Sequence, residues 1–228
     1  MRRVGAQRMI RLLLALAAGA LLLLLLAQVF LPGIAASRIS SRVGRYGELE
    51  SVKVRAWPAV ELLWGDADSV TVKARSLSLT PPQAARLLWE GRGVSTMQMA
   101  AQEIRIGPVR LTGARLRKRG SSLSAEGVIG EADVLAALPP GLGVQLVGSE
   151  AGRVLVSASG GLFGVGATVQ AIAAAREGKL LVRPAGALLG GFTLTLFSDP
   201  HVYVEEVGAR RRTSSPKSYR LTMSARLR

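Results

Sequence analysis

The sequence contains no cysteine, a single histidine and few aromatic residues. The absence of cysteine excludes disulfides, thiolate zinc sites and a thiol nucleophile. One histidine, His201, cannot by itself form a multi-histidine metal site. Aromatic residues make up 4% of the chain, which argues against a nucleic-acid surface built on stacked bases. These absences favour a function that depends on burial and charge.

The longest apolar run extends from Leu12 to Leu31 and is interrupted only by Gln28. As a helix it would span about 30 Å, the thickness of a bilayer core. The run therefore predicts a membrane-targeting segment. It is either an uncleaved signal anchor or a cleaved signal peptide, because the small residues at 33–35 offer a weak cleavage site.

Four arginines precede this run, and such residues stay on the cytoplasmic side of a membrane. We therefore expect residues 1–33 to form a cytoplasmic basic tail with the targeting segment. Residues 34–228 then form an extracytoplasmic domain next to the cell membrane.

Most of the positive charge lies in that domain, because removal of the first 31 residues leaves 26 basic and 15 acidic residues. A net charge of +11 usually indicates nucleic acid, but behind an export segment it favours anionic phospholipid headgroups or acidic envelope polymers. Solvated helix faces and hairpin tips are the alternative interpretation. The candidate headgroup residues are Arg38, Arg42, Arg45, Arg117, Lys118, Arg119, Arg210, Arg211 and Arg212.

Alternating polar and apolar residues predict strands along most of the domain. Asp68–Leu79 changes phase and predicts a bulge near residues 75–77, whereas Tyr219–Leu227 alternates strictly. Thr80 before two prolines, with Gln83 three residues later, predicts a capped helix start. The other predicted strands are 51–57, 97–106, 109–117, 123–129, 153–159, 165–174, 180–183, 192–197 and 201–209, with a short helix over 131–138. This order predicts an α+β fold: a transmembrane helix, then a mostly antiparallel sheet with one or two short helices on its apolar face.

Catalytic candidates are few. Asp199 could orient His201 because residues two apart share a strand face, but no G-x-S-x-G motif supplies a nucleophile. Glu61, Asp66 and Asp68 could bind a cation or act as acid and base, yet aspartates before a strand more often bond their own turn. We interpret these residues as structural and expect no enzyme activity, metal or cofactor.

The segment Ala56–Gly65 (AWPAVELLWG), followed by Asp68–Val72 (DSVTV), resembles the LmeA-like phospholipid-binding family of actinobacterial cell-envelope proteins. Weaker similarities lie at 131–139 and 178–184, and the resemblance covers most of residues 34–228. Many members carry glycine where this chain has Ala56. The resemblance implies a phospholipid-binding envelope protein with a tubular lipid-binding-like fold, in which a long curved sheet wraps a helix.

Two functions follow. The first is a membrane-anchored lipid-binding or lipid-transfer protein that holds acyl chains in an apolar groove and headgroup phosphate with basic residues. The second is a structural envelope protein whose sheet has a filled core. The residues predicted to line the groove, which would otherwise be core, are Val52, Val54, Trp57, Leu62, Leu63, Trp64, Val70 and Val72.

Overall fold

The computed structural model describes residues 24–136, 142–150, 152–162, 165–185, 193–212 and 217–228. The first part of the apolar run lies outside these residues. The N-terminal helix, α1, occupies Leu24–Tyr46 and ends in a 3-10 turn, Gly44–Tyr46. It is long and apolar enough to cross a membrane, a property that signal sequences share. It continues through Pro32 and Gly33, so the predicted boundary at residue 33 lies within one helix.

Twelve strands and two further helices follow in the described part of the chain. Their bounds are β1 (Gly47–Arg55), β2 (Ala67–Leu79), α2 (Pro81–Glu90), β3 (Val94–Ile106), β4 (Val109–Arg119), β5 (Ser122–Gly130), α3 (Glu131–Ala136), β6 (Leu142–Glu150), β7 (Arg153–Leu162), β8 (Val165–Arg176), β9 (Lys179–Ala185), β10 (Leu194–Phe197), β11 (Val202–Arg212) and β12 (Ser218–Leu227). The α+β prediction is confirmed.

The strands form two open sheets. The large sheet has the order β1-β2-β3-β4-β5-β12-β11, and the small sheet has the order β10-β9-β8-β7-β6. All neighbouring strands are antiparallel except β2 and β3, which are parallel and joined through α2. The sequence had not predicted this parallel pair, since alternation along one strand carries no information about its partner.

Local signals in the sequence are confirmed around β2 and α2. The partners of Glu48 and Leu49 are Ser76 and Ala74, so Arg75 is the extra residue of a bulge. Beyond it, α2 begins with a capping box, in which the Thr80 side chain accepts from the Gln83 N–H and the Gln83 side chain accepts from the Thr80 N–H. The cap satisfies two backbone donors that a helix start leaves free.

One face of the large sheet carries the core, and we call it the inner face. α1 packs there through Ala35, Ala36 and Ile39 near one end and through Val43 and Tyr46 near the other. Helix α2 adds Ala84, Ala85, Leu87 and Leu88. The prediction that short helices pack on the apolar face of the sheet is confirmed for α2.

The small sheet covers the inner face of the large sheet at its β11 edge. Val154 of β7 packs with Val204, Val207 and Ala209 of β11, and a bridge joins Gly178 to Val204 between the sheets. The Gly178 carbonyl accepts from the Val204 N–H at 3.0 Å. The apolar face of β11 is therefore closed off from solvent by the small sheet.

Candidate functional site

An apolar row crosses the whole large sheet on its inner face, with one residue from each strand. The strand registers place each member directly opposite the next. From β1 to β11 across the sheet, the apolar row consists of Val52, Val72, Met99, Leu116, Ala125, Met223 and Val207.

Two members of the row are buried, and the stretch between them is covered less. Val72 is buried beneath α1, and Val207 is buried against the small sheet. The four residues between them, Met99, Leu116, Ala125 and Met223, are only half-buried. At a strand spacing of 4.8 Å, this middle part is about 14 Å wide. It is therefore a continuous half-buried apolar stretch of the inner face, bordered by buried residues.

The residues predicted to line a groove fall into two groups. Val54, Val70 and Val72 are buried, and Val52 and Leu62 are half-buried. All five belong to the cluster that α1 covers, so the structure places them as packed core. The other three predicted residues, Trp57, Leu63 and Trp64, are exposed on the segment between β1 and β2.

The half-buried middle of the row was not among the predicted site residues. Its members were visible in the sequence as apolar positions of alternating strands, Met223 in the most regular of them. The missing information was the register, because only pairing across β3, β4, β5 and β12 brings these side chains side by side.

One end of the large sheet lies beside the apolar first part of α1, near Gln28, and we call it the anchor end. There the Gln28 side chain donates to the Ala56 carbonyl at 3.1 Å and accepts from the Ala59 N–H at 2.8 Å. Pairing of Ala67 with Val94 and of Thr96 with Arg119 places the start of β3 and the end of β4 at this end.

The predicted headgroup residues lie at both ends of the sheet. Arg117 and Arg119 are exposed at the anchor end. Arg210, Arg211 and Arg212 are exposed at the opposite end, beyond strands that rise about 3.3 Å per residue, so roughly 25 Å separates the clusters. The screening length at physiological salt is about 8 Å, so a bilayer surface that faces one end of the strands acts on only one of these clusters.

Lys118, between the two arginines, points to the inner face and is 1% exposed. Its ammonium donates to the carbonyls of Arg92 (3.1 Å) and Val94. Burial lowers the pKa of Lys118, because the interior solvates the ammonium less well than water does. The structure therefore places Lys118 as a buried link to the start of β3, away from any headgroup at the surface.

Three further predicted headgroup residues lie on α1. Arg38, Arg42 and Arg45 are all exposed, and Arg42 forms an ion pair with Glu90 of α2 at 3.1 Å. Arg42 is 14 residues beyond Gln28 in the sequence, about 21 Å along a helix. Arg42 and Arg45 therefore lie along the body of the domain, where Arg42 ties α1 to α2.

Two adjoining clefts, each of about 370 Å³, lie over β4, β5, β12 and β11. They share Glu126, Glu206, Val207 and Thr222. Most of the residues that line them are polar, and an ion pair between Arg115 and Glu126 at 3.2 Å lies in the first cleft. Because side chains alternate between faces along a strand, these polar residues lie on the side opposite the apolar row.

The catalytic candidates make local structural contacts. Asp68 accepts from the Trp57 N–H at 2.7 Å, and Asp199 accepts from the His201 N–H at 2.8 Å. The His201 ring stacks on Trp89 with ring centres 4.4 Å apart. In the part of the chain that the structure describes, no group of three acidic or histidine side chains is placed to hold a metal ion. These contacts fit the structural interpretation of both aspartates.

The comparisons with known proteins identify the family. The sequence matches the LmeA-like phospholipid-binding family over residues 25–201. The chain belongs to this family. The match runs from α1 through the small sheet, and LmeA-like proteins form a binding family with no known enzyme activity. No curated protein and no solved structure matches this LmeA-like chain. The resemblance to this family is thereby confirmed.

Proposed function

We propose that this protein is anchored in the cell membrane by its N-terminal segment and binds anionic phospholipid on the extracytoplasmic side. The half-buried middle of the apolar row receives an acyl chain, and exposed arginines at the anchor end hold the headgroup phosphate. The observation that carries the proposal is the continuous row from Val52 to Val207 in a chain of a phospholipid-binding family.

Burial of the acyl chain supplies most of the binding energy. Each methylene removed from water contributes about 0.8 kcal/mol, so ten methylenes contribute about 8 kcal/mol before ordering costs. Methionine suits such a surface, since its unbranched side chain adapts to irregular apolar partners. Met99 and Met223 stand at the two borders of the half-buried middle.

The headgroup is held by charge. Arg117 and Arg119 are exposed on β4 at the anchor end, on the face opposite the apolar row, so they attract the anionic headgroup from the end of the sheet and do not line the groove. A basic residue close to an anionic surface contributes about 1 kcal/mol. Binding in this form needs no bond to break, so we propose a non-enzymatic role. Release of the bound lipid at the anchor end would make the protein a transfer protein between membranes.

Bound lipid tests the proposal. The full chain is purified in detergent, and co-purifying phospholipid is measured by mass spectrometry. Replacement of Leu116 and Met223 by glutamine places polar amides in the apolar row. The L116Q/M223Q variant is therefore expected to lose most of its bound phospholipid. The matched control is S124Q/T222Q, which alters neighbouring positions on the opposite face of the same sheet. Equal lipid content in folded wild-type and L116Q/M223Q protein would contradict the proposal.

Orientation is tested separately on intact cells with a tag after Arg228. An extracytoplasmic body leaves the tag open to added trypsin. Protection of the tag until the membrane is broken would refute the proposed orientation.

A structural envelope role is the second candidate. The observation that favours it is the dense cover over Val54, Val70 and Val72, which α1 keeps from solvent. A folded wild-type chain that carries no phospholipid and takes none from phosphatidylinositol vesicles would support this role over lipid binding.

A further inference from the structure

A short loop at the anchor end exposes three large apolar side chains. The tip loop, residues 57–66, joins β1 to β2, and its exposed residues are Trp57 (72%), Leu63 (67%) and Trp64 (73%). Side chains of this size exposed together mark a contact surface.

The tip loop is held in shape by its own hydrogen bonds. The Glu61 carbonyl accepts from the Trp64 N–H at 3.0 Å and from the Asp66 N–H at 3.2 Å. The Trp57 N–H donates to the Asp68 carboxylate at 2.7 Å. Because the backbone is fixed in this way, the outward direction of the two indoles is a property of the fold.

Gln28 fixes the tip loop at one height along α1. Its amide makes both of its hydrogen bonds to the backbone at Ala56 and Ala59, directly beside the loop. Gln28 is the only polar residue of the apolar run, and it lies three residues before the end of that run at Leu31. The loop therefore sits about 4.5 Å inside the apolar limit of the helix.

The surface around the tip loop is apolar on α1 and basic at the strand ends. On α1, the exposed residues near Gln28 are apolar, among them Leu26 (46%), Val29 (72%) and Phe30 (62%). The strand ends on this side carry the exposed bases Arg55, next to the loop, and Arg119, two strands away from β2. An apolar tip beside exposed arginines matches the bilayer interface, where acyl chains lie beneath anionic headgroups.

We propose that Trp57, Leu63 and Trp64 insert into the interfacial zone of the bilayer that holds α1. The loop and the helix then form two points of membrane attachment, and the Gln28 amide locks one to the other. Tryptophan is the side chain that best suits this zone, because its ring is apolar and its N–H remains hydrated. The inference rests on the membrane anchoring of the proposed function but not on lipid binding to the apolar row.

Depth-dependent fluorescence quenching tests this insertion. The full chain is reconstituted into phosphatidylcholine vesicles in which the lipid carries bromine near the top of its acyl chains. A W89F variant reports Trp57 and Trp64, and the matched W57F/W64F variant reports Trp89, which stacks on His201. Trp89 lies close to the start of β3, at the same end of the sheet, but it is half-buried, so we expect the bromolipid to quench Trp57 and Trp64 more strongly than Trp89. Emission from W89F that acrylamide quenches and bromolipid does not would overturn the inference.

The lock is tested with Q28L in the W89F background. Leucine keeps the helix apolar and removes both bonds to the loop, so bromolipid quenching of Trp57 and Trp64 is expected to fall. F30L is the matched control, because Phe30 is exposed on the same helix and forms none of these bonds. Unchanged quenching in Q28L would exclude a role for the lock.

Phospholipid co-purifying with these variants separates the inference from the proposed function. W57S/W64S is expected to keep its bound lipid while it lacks the interfacial indoles. Bromolipid quenching in a chain that carries no lipid would support insertion and refute lipid binding. Bound lipid in a chain without quenching would do the reverse.

Discussion

At the scale of single residues, burial decides which basic side chains can meet a lipid phosphate. Arg117, Lys118 and Arg119 are consecutive, yet alternation along β4 sends the two arginines to solvent and the lysine to the inner face. The sequence allowed the clustering of charge to be recognised, but it could not show that the middle charge points inward. The Lys118 ammonium is buried and donates to the Arg92 and Val94 carbonyls at the start of β3.

Lys118 makes the free energy of unfolding depend on pH. Its pKa in the folded protein lies below the ordinary 10.5, so folding costs free energy while the group is charged. Between the folded pKa and 10.5, Lys118 is neutral in the folded protein but still protonated in the unfolded chain. The cost of the buried charge therefore disappears as the pH rises through this range. The free energy of unfolding of wild type minus that of K118M is expected to increase from neutral pH toward 10.5, as measured by denaturant titration. A difference independent of pH would contradict this account.

Gly178 shows how one residue joins the two sheets. Its φ is +78°, and a Cβ there would overlap the Tyr203 ring. G178A is therefore expected to lower the free energy of unfolding by about 3 kcal/mol, from left-handed backbone strain and overpacking. Gly120 provides the control, because its φ is +55° and no atom lies within 4 Å of an added Cβ. G120A should cost only about 1 kcal/mol. Equal losses in thermal or denaturant unfolding would show that the Tyr203 contact is unimportant.

At the scale of elements, most of the fold was predictable because the signals are local. The alternation of 219–227, the bulge at Arg75 and the cap at Thr80 all appear where the sequence places them. Strand β6 was missed, and so was the division of the strands into two sheets. Both depend on partners far along the chain, which a one-dimensional pattern does not record. For the same reason the middle of the apolar row was not predicted.

The capping box of α2 gives a prediction at this scale. T80A removes the side-chain acceptor for the Gln83 N–H, so it should lower the free energy of unfolding by about 1 kcal/mol. T80S keeps an oxygen in the same position and is expected to retain most of the stability. Thermal unfolding of the three proteins distinguishes these outcomes, and equal stability of T80A and T80S would indicate that the cap contributes nothing.

At the scale of the whole molecule, position relative to the anchor matters more than total charge. The domain carries +11, but in the proposed orientation, with the strands upright on the membrane that holds α1, only the arginines near the anchor end lie within a screening length of the surface. An excess of positive charge by itself favours nucleic acid. In this proposal, the orientation of the large sheet decides which of the basic residues can meet the anionic membrane. Arg210, Arg211 and Arg212 remain free to contact another surface, roughly 25 Å away.

The two ends of the sheet provide a matched pair of variants. In vesicles of phosphatidylcholine with a pyrene-labelled phosphatidylserine, energy transfer from tryptophan reports the anionic lipid gathered around the protein. R117Q/R119Q is expected to reduce this transfer, since each arginine near the surface contributes about 1 kcal/mol. R211Q/R212Q removes the same charge at the far end and is expected to match wild type. A larger loss in R211Q/R212Q would reverse the proposed orientation of the sheet.

The central claim is that the inner face of the large sheet holds an acyl chain, and covalent labelling tests it most directly. Full-length protein is incubated with vesicles containing phosphatidylinositol whose acyl chain bears a photoreactive diazirine, and the labelled peptides are identified after irradiation. The account predicts label on peptides that carry Leu116 and Met223, in addition to α1 and the tip loop. Label confined to α1 and the tip loop would contradict it, because the lipid would then meet the protein only in the membrane.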